Sequence, residues 1–283
     1  MATLKQIRQR IRTAKNIRQI TRAMKLVAAA RLRRATDRVV EARPYSDKMQ
    51  GFMASLASAG ELPPHPLMEK REVKNVCLIL ITADRGLSGA YNSALIRKAE
   101  DYIKVTDQQV KIIGYGKKGF LYFGKRGHNV VKQVNMPSAG ATLEDAIQVA
   151  DEARRLYESG EVDAVYVVYS KFFSAIRQVP QIVQLLPIEP PTGVEASGSF
   201  NFEPDAESLL NALLPRYFLT LVQQALFEGT ASFFGAQMTA MTSATDNAGK
   251  MINDLTLKAN RERQAAITTE ILEVVGGAEA LKA

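Results

Sequence analysis

The fold is decided by the N-terminal residues 3–43, TLKQIRQRIRTAKNIRQITRAMKLVAAARLRRATDRVVEAR. This stretch has no proline and no glycine and is rich in strong helix formers, so it predicts one long helix. Its apolar and small residues recur about every 3.5 positions, which is typical of a coiled-coil seam. The seam positions are Leu4, Ile7, Ile11, Ala14, Ile17, Ile20 or Thr21, Met24, and Val27 or Ala28. The basic residues Arg8, Arg12, Lys15 and Arg22 fall on the other face.

Positive charge is concentrated in this N-terminal stretch. The chain of 283 residues has a net charge of +8, yet residues 1–43 alone hold thirteen basic and two acidic residues. The remainder, with 24 basic and 27 acidic residues, is slightly negative. A solvated helix usually alternates the signs of its charges, so this imbalance predicts a surface that faces a negatively charged partner.

The composition excludes several classes of protein. Cys77 is the only cysteine, and the two histidines, His65 and His128, are far apart in sequence, which leaves little for a disulfide scaffold, a metal centre or a catalytic triad. The longest apolar run, VCLILI at 76–81, is far shorter than the roughly 18 residues that a membrane-spanning helix needs. The N-terminus lacks the pattern of a signal or transit peptide.

The middle of the chain changes its periodicity. Helical patterns at 93–104 and 142–158 alternate with strand patterns, and the second helix begins with a capping box, Thr142 and Asp145. The predicted strands are VCLILI (76–81), VKIIGY (110–115), VVKQV (130–134) and DAVYVVYSKF (163–172), and the apolar run VPQIVQLLPI (179–188) closes the block. This alternation predicts a Rossmann-like α/β domain with a mostly parallel sheet at 73–190, between linkers at 57–72 and 187–205.

The helical period returns at residue 206 and continues to the end of the chain. Apolar or small residues step by 3 and 4 positions there, and after a shift of one residue the pattern continues. The first set is Met238, Met241, Thr245, Ala248, Ile252, Leu255 and Ala259, and the second is Ile267, Ile271, Val274 and Ala278. Neither terminal seam can be buried alone, so we expect the helices at 1–58 and 206–283 to form a long antiparallel coiled coil. Pro44 is expected to interrupt the first helix.

Two motifs resemble those of enzymes. GYGKKG (114–119) fits the glycine pattern of a dinucleotide site, but no acidic residue follows at the distance that the ribose requires. GLSGA (86–90) resembles a nucleophile elbow, but His128 is the only later histidine and Ala90 replaces the last glycine. We therefore expect a strand-to-helix turn at the first motif and no catalytic serine at the second. The chain has no P-loop.

Three segments resemble the gamma subunit of F-type ATP synthases, the central rotor shaft, in order along the whole chain. They are LKQIRQRIRTAKNIRQITRAMKLVAAARLRRA (4–35), TADRGLSGAYN (82–92) and ITTEILEVVGGAEA (267–280). The resemblance implies a non-catalytic subunit without cofactors. It would couple rotation of the membrane c-ring to conformational changes at the catalytic sites of the alpha/beta hexamer.

The resemblance also implies the partners and the residues that contact them. Beta-subunit contacts would be made by Arg8, Arg12, Lys15, Arg263 and Gln264. Contacts to the c-ring would be made by the turn Arg43, Pro44 and Tyr45 and by Phe202, Glu203, Pro204 and Asp205. The epsilon subunit would pack beside the α/β domain. Chloroplast members carry a regulatory pair of cysteines that this sequence lacks, so a bacterial complex at the cytoplasmic face of the cell membrane is expected.

Two other functions fit parts of the sequence. A basic coiled coil can bind nucleic acid, although no aromatic residue occurs before Tyr45 to stack on bases, so no nucleic-acid partner is expected. An α/β enzyme would depend on GYGKKG alone.

Overall fold

The computed structural model describes residues 3–58, 63–189 and 206–280. Its elements, in chain order, are α1 (Leu4–Ser58), a short 3-10 helix (Pro66–Met68), β1 (Asn75–Ile81), α2 (Tyr91–Val105), β2 (Gln109–Tyr115), α3 (Lys117–Gly124), β3 (Asn129–Val134), α4 (Leu143–Glu158), β4 (Ala164–Ser174), β5 (Arg177–Leu186) and α5 (Ala206–Ala280). The chain divides into two compact units, Met1–Val27 with Ala240–Ala283, and Ala28–Thr239.

The first unit pairs the start of α1 with the end of α5 in antiparallel orientation. The Oγ1 atoms of Thr21 and Thr245 lie 2.8 Å apart, and Arg18 lies against Gly249, so residue numbers rise on one helix as they fall on the other. Ile7, Ala14 and Thr21 are buried at intervals of seven residues on α1. This strict heptad confirms the predicted coiled-coil seam.

One position of the predicted seam is wrong. Ile17 is exposed because it lies one position before the seam, about 100° around the helix. Of the alternatives at the next turns, the structure buries Thr21 and Ala28 rather than Ile20 and Val27.

The C-terminal end of α5 has no partner helix among the described residues. Glu262 is its last half-buried residue, and every described side chain from Arg263 to Ala278 is exposed. The predicted continuation of the seam through Ile267, Ile271, Val274 and Ala278 is therefore wrong. Helix α1 is too short to cover this stretch. It begins at Leu4, and in the antiparallel pair its first turn lies beside residue 262 of α5.

The second unit contains a five-stranded sheet in the order β3-β2-β1-β4-β5 among the described residues. Strands β1 to β4 are parallel, and β5 pairs antiparallel with β4, which confirms the mostly parallel sheet. Strand β1 is in the centre and is almost wholly buried. The capping box of α4 is present. The Thr142 side chain accepts from the Asp145 backbone N–H, and the Asp145 side chain accepts from the Thr142 backbone N–H.

Pro44 does not interrupt α1, contrary to the sequence prediction. A proline inside a helix costs about 3 kcal/mol, but packing anchors the helix on both sides of it. Val39 and Met53 are buried, and the Ser46 hydroxyl donates to Gln224 Oε1 of α5 at 2.8 Å. These tertiary contacts outweigh the missing hydrogen bond.

Helix α5 makes polar contacts with β4, with the start of α2 and with the segment before α4, all in the second unit. The Tyr91 hydroxyl donates to the Gly229 carbonyl at 2.8 Å, and the Ser232 hydroxyl donates to the Ser170 carbonyl at 2.8 Å. The Ala141 N–H donates to Thr230 Oγ1 at 3.3 Å. Hydrogen bonds therefore hold α5 against the α/β part of the second unit in addition to apolar packing.

Candidate interaction surfaces

The basic residues in the first unit's part of α1 form an uncompensated surface. Arg8, Arg12 and Lys15 are exposed and lie one turn apart along the helix. In the described part of the chain, every ion pair lies between residues 69 and 189. No carboxylate within that part therefore neutralises these three cations, and their charge is available to a partner.

Some of the following basic residues have structural roles in the second unit. Arg38 donates from Nη1 to the Ala141 carbonyl at 2.9 Å, and the Arg31 guanidinium lies 5.9 Å from the Phe234 ring centroid. The basic residues of 1–43 thus have two roles. Some of them pack within the second unit, and others form an exposed positive surface on the first unit.

Arg263 and Gln264 begin the stretch of α5 that has no helix beside it within 3–58, 63–189 and 206–280. Both side chains are exposed, and the Gln264 carbonyl accepts from the Thr268 hydroxyl at 2.9 Å. The same stretch carries large exposed apolar side chains, namely Ile267, Ile271, Leu272, Val274 and Val275. Exposed apolar residues in this density are typical of a surface that a partner covers.

The segment predicted to face the membrane ring has a different local structure from the expected turn. Arg43, Pro44 and Tyr45 are exposed on the continuous helix α1, in the second unit. Phe202, Glu203, Pro204 and Asp205 lie outside the described residues.

The glycine motif at 114–119 lies between β2 and α3, as the sequence predicts, and its glycines serve packing. Gly116 has φ +85°, and a Cβ there would lie 2.3 Å from the Thr82 carbonyl oxygen. A dinucleotide site would need free N–H groups at the start of α3. Instead the Lys117 N–H donates to Asp84 Oδ1 at 3.0 Å, and the Gly119 N–H donates to Thr82 Oγ1 at 2.9 Å. The Lys118 N–H donates to the Ala83 carbonyl at 3.2 Å. The amides that would bind a pyrophosphate already have protein partners.

The serine of GLSGA is not arranged as a nucleophile. Ser88 is buried, and its Oγ has no hydrogen-bond partner among the described residues. His128 follows α3 and packs edge-on against Phe123, with ring centroids 5.2 Å apart.

The segment TADRGLSGAYN (82–92) joins the sheet to its surroundings, a role that sequence reasoning missed. Asp84 accepts from the backbone N–H groups of Lys117 and Met136, and Asn92 Oδ1 accepts from the Ala83 N–H at 2.9 Å. The side chains of this segment therefore fix loops at the carboxyl edge of the sheet, and Tyr91 extends the link to α5. The signal available in the sequence was the position of the motif, directly after a buried strand.

Sequence reasoning also missed the tip of the β4–β5 hairpin. Ile176 is 84% exposed and Phe173 is 50% exposed. The available signal was the sequence KFFSAIR (171–177), which has apolar residues where a hairpin turn normally has glycine or asparagine.

Two further absences hold for the described residues. Nowhere in 3–58, 63–189 or 206–280 do histidine, cysteine and carboxylate side chains gather in a group that could hold a metal ion. The helices in these ranges include none with the length and apolar content to cross a bilayer.

The chain is similar to known proteins over its full length. It matches the ATP synthase family over residues 3–281. It is 46% identical over 282 residues to the ATP synthase gamma chain of Desulfitobacterium hafniense, covering 100% of both chains. It is 44% identical over 290 residues to that of Heliobacterium modesticaldum, covering 99% of this chain and 100% of the relative.

Solved structures share the fold. A structure of the Euglena gracilis mitochondrial ATP synthase that comprises OSCP, F1 and c-ring includes a chain with a TM-score of 0.72 and 20% identity, covering 98% of this chain and 94% of that one. A chain of the central stalk and c-ring of the Tetrahymena thermophila mitochondrial ATP synthase has a TM-score of 0.60 and 23% identity. The match covers 80% of this chain and 99% of that one. By the family match and the similarity to these relatives, the chain belongs to the ATP synthase gamma chain family.

Proposed function

We propose that this chain is the rotor of a proton-translocating ATP synthase, which couples rotation of the membrane c-ring to conformational changes at the catalytic sites of an alpha/beta hexamer. In this assignment residues 1–58 and 206–283 form the shaft, and residues 73–190 carry the epsilon subunit. The chain contributes no catalytic residue and no cofactor site. Its place is peripheral, at the cytoplasmic face of a bacterial cell membrane.

The observation that carries the proposal is the first unit, a pair of helices with open positive charge. A shaft that turns inside a ring must not bind one wall permanently. Exposed ion pairs contribute only about 0–1 kcal/mol each, so contacts from Arg8, Arg12 and Lys15 can break and form again at each step. Arg263 and Gln264 lie on the exposed stretch of α5 and are assigned to the same beta-subunit contact.

The contact with the membrane ring is assigned to Arg43, Pro44 and Tyr45 together with Phe202, Glu203, Pro204 and Asp205. The exposure of the first three on α1 supports a contact made by the side of a helix rather than by a turn.

Co-purification tests the assignment of partners. A tagged full-length chain expressed in its native host should isolate with a hexameric ATPase, an epsilon subunit and a membrane ring. Isolation of the chain without a hexamer would contradict the proposal.

Charge removal tests the mechanism. Replacing Arg8, Arg12, Lys15 and Arg263 by glutamine in the assembled complex should lower single-molecule torque and ATP-driven proton pumping. The matched control replaces the exposed residues Arg97, Lys98, Lys104 and Lys125 by glutamine, which removes the same charge from the α/β part. Equal torque in both variants would show that the N-terminal charge does not act in rotation.

A further inference from the structure

The β4–β5 hairpin ends in a turn that α5 holds in place. The turn residues are Ala175 and Ile176, since Ser174 pairs with Arg177. The Ala175 carbonyl accepts from Gln178 Nε2 at 2.7 Å and from the Thr239 hydroxyl at 3.1 Å. The tip is therefore fixed by bonds from its own strand and from α5.

A glycine on α5 permits this close approach. A Cβ at Gly235 would lie 3.1 Å from Gln178 Nε2 and 3.3 Å from the Ala175 carbonyl oxygen. Distances of this kind leave little room for a side chain, so the backbone of the turn packs directly on the helix. A contact surface fixed in this way loses little conformational entropy when a partner binds.

The fixed turn nevertheless exposes its largest apolar side chains. Ile176 is 84% exposed and Phe173 is 50% exposed. Phe172 pairs with Gln178 and Ser174 pairs with Arg177, so Phe173 is the extra residue of a bulge. Bulges redirect a side chain from the regular alternation of a strand, and here the redirected side chain is an exposed aromatic ring.

Two cations surround this ring, and no acidic residue of the hairpin balances them. Lys171 Nζ lies 5.7 Å and Arg177 Cζ 4.8 Å from the Phe173 ring centroid. Residues 164–188 contain no aspartate or glutamate. Glu228 of α5 reaches the hairpin, where its Oε2 accepts from the Phe172 N–H at 3.4 Å, but this carboxylate is buried at 2% exposure and does not form an ion pair with either cation within the described residues.

We propose that Lys171, Phe173, Ile176 and Arg177, the hairpin knob, dock an acidic segment of another subunit of the ATP synthase complex. Carboxylates of that segment pair with Lys171 and Arg177, and an apolar side chain covers Ile176 and Phe173. The charge of the knob argues for an acidic partner. A bilayer is a poorer partner, because a single fatty acyl chain already gives only marginal membrane binding and the knob offers less apolar surface. This inference rests on the proposed function only in that the partner belongs to the complex.

Photo-crosslinking in the purified complex tests the contact. Ile176 is replaced by the photoreactive residue benzoylphenylalanine, and the crosslinked peptides are identified by mass spectrometry. The control position is Val105, the last residue of α2, which is 86% exposed. It lies four residues before β2 begins, at the amino end of the strands, whereas the hairpin turn follows the carboxyl end of β4. We expect position 176 to crosslink to an acidic segment of another subunit and position 105 not to crosslink to that segment. Absence of a crosslink to another subunit, a crosslink to a segment without carboxylates, or a crosslink to lipid in membrane-reconstituted complex would overturn the proposal.

Charge reversal tests the chemistry of the contact. The pair Lys171→Glu and Arg177→Glu should lower the crosslink yield from position 176 about fivefold or more, while the control pair Lys98→Glu and Lys104→Glu leaves it unchanged. The neutral pair Lys171→Gln and Arg177→Gln should give an intermediate yield, which guards against loss of folding in the reversed variant. An unchanged yield in the reversed variant would overturn the acidic partner.

The same preparations separate this inference from the proposed function. A complex that assembles with the hexamer and pumps protons, but gives no crosslink from position 176, contradicts the hairpin contact alone. A chain that does not assemble with a hexamer contradicts both.

Discussion

At the scale of single residues, Gly116 shows why a glycine-rich motif can be structural. Its backbone has φ +85° and passes so close to the Thr82 carbonyl oxygen that a Cβ would lie 2.3 Å away. Both the backbone conformation and the space exclude a side chain, so the glycine is required for the turn from β2 into α3.

Replacing Gly116 by alanine should therefore destabilise the chain strongly. The backbone at φ +85° and ψ +146° lies in a region that is essentially restricted to glycine and costs another residue about 1–3 kcal/mol, and displacement of the Thr82 backbone adds to it, giving a total above about 3 kcal/mol. Gly127→Ala is the matched control, because its φ is +79° but nothing lies within 4 Å of the added Cβ. Urea unfolding of the full chain measures both, and equal losses would contradict the steric explanation.

The carboxylate of Glu161 joins two elements and gives the chain a specific pH dependence. Lys111 Nζ lies 2.6 Å from Glu161 Oε2, and Arg155 Nη1 lies 2.9 Å from Oε1. Hydrogen bonds from Lys111 and then from Arg155 lower the pKa of Glu161 from 4.5 to about 2. The ionised form is thus favoured in the folded state.

We expect Glu161→Gln to reduce stability near neutral pH and to have little effect in strong acid. Because the folded-state pKa is lowered, the stabilisation is present above pH 4.5 and is lost as the pH falls through about 2. The site is exposed, so added salt should also reduce the difference. Unfolding curves of both chains at several pH values test this, with Glu158→Gln as control, whose carboxylate lies 3.9 Å from Arg154. A difference that persists below pH 2 would be inconsistent with the ion pairs.

At the scale of secondary-structure elements, only some of the apolar residues of α1 are buried, and the others remain exposed. Ile7 is 1% exposed, whereas Ile20 on the same helix is 59% exposed. Both residues fit a helical apolar pattern in the sequence, but only Ile7 is on the heptad positions that face α5.

Ile7→Ala should weaken the first unit, and Ile20→Ala should not. Truncation of a buried isoleucine costs about 2–5 kcal/mol, whereas a surface substitution usually changes stability by less than about 0.5 kcal/mol. Hydrogen exchange of the backbone amides of residues 4–27 measures the local effect in the isolated full chain. Faster exchange in Ile20→Ala than in Ile7→Ala would contradict the seam. In the assembled complex Ile20 is available for a partner contact, so its exposure does not make it dispensable there.

The proline in α1 provides a second test at this scale. Pro44 lies inside the helix, where it removes the hydrogen bond that an N–H would make to the Val40 carbonyl and where its ring crowds that carbonyl. Pro44→Ala should raise the free energy of unfolding by up to about 3 kcal/mol, as measured by urea denaturation of the full chain. A loss of stability would mean that the proline fixes a bend on which the packing of Met49 and Met53 depends.

At the scale of the whole molecule, the charges are sorted by role. The ion pairs within the described residues lie between 69 and 189. The cations of α1 in the first unit form no ion pair with a carboxylate of the described residues. Charges of the first kind stabilise the fold, and charges of the second kind are available for association.

Association of the full chain with the proposed alpha/beta hexamer should weaken as salt increases, because exposed charges are screened within a Debye length of about 8–10 Å near physiological salt. The variant with glutamine at positions 8, 12, 15 and 263 should show a smaller salt dependence than the control with glutamine at 97, 98, 104 and 125. Binding measured by surface plasmon resonance at several salt concentrations distinguishes them. Equal slopes in the two variants would contradict a role for the N-terminal charge in association.

The sequence alone indicated most of the elements and the α/β class, but neither the unbroken course of α1 nor the strand β5. Heptad spacing in the terminal stretches predicted their helices, and the alternation of strand and helix patterns predicted the mostly parallel sheet. Both predictions were possible because the period of the apolar residues depends only on side-chain direction along each element. The glycine of the β2–α3 turn and the capping box of α4 were also visible, since both act over a few residues.

Tertiary structure decided which of several equivalent faces is buried and which local signals are overruled. The choice of Thr21 over Ile20, the continuity of α1 through Pro44 and the end of the seam at residue 262 depend on where α1 and α5 start and meet, which no single stretch encodes. The occupied amides of α3 and the exposed, fixed tip of the β4–β5 hairpin likewise depend on residues far apart in sequence. Contacts of this kind arise from packing between distant segments, and a periodic pattern contains no information about its partner.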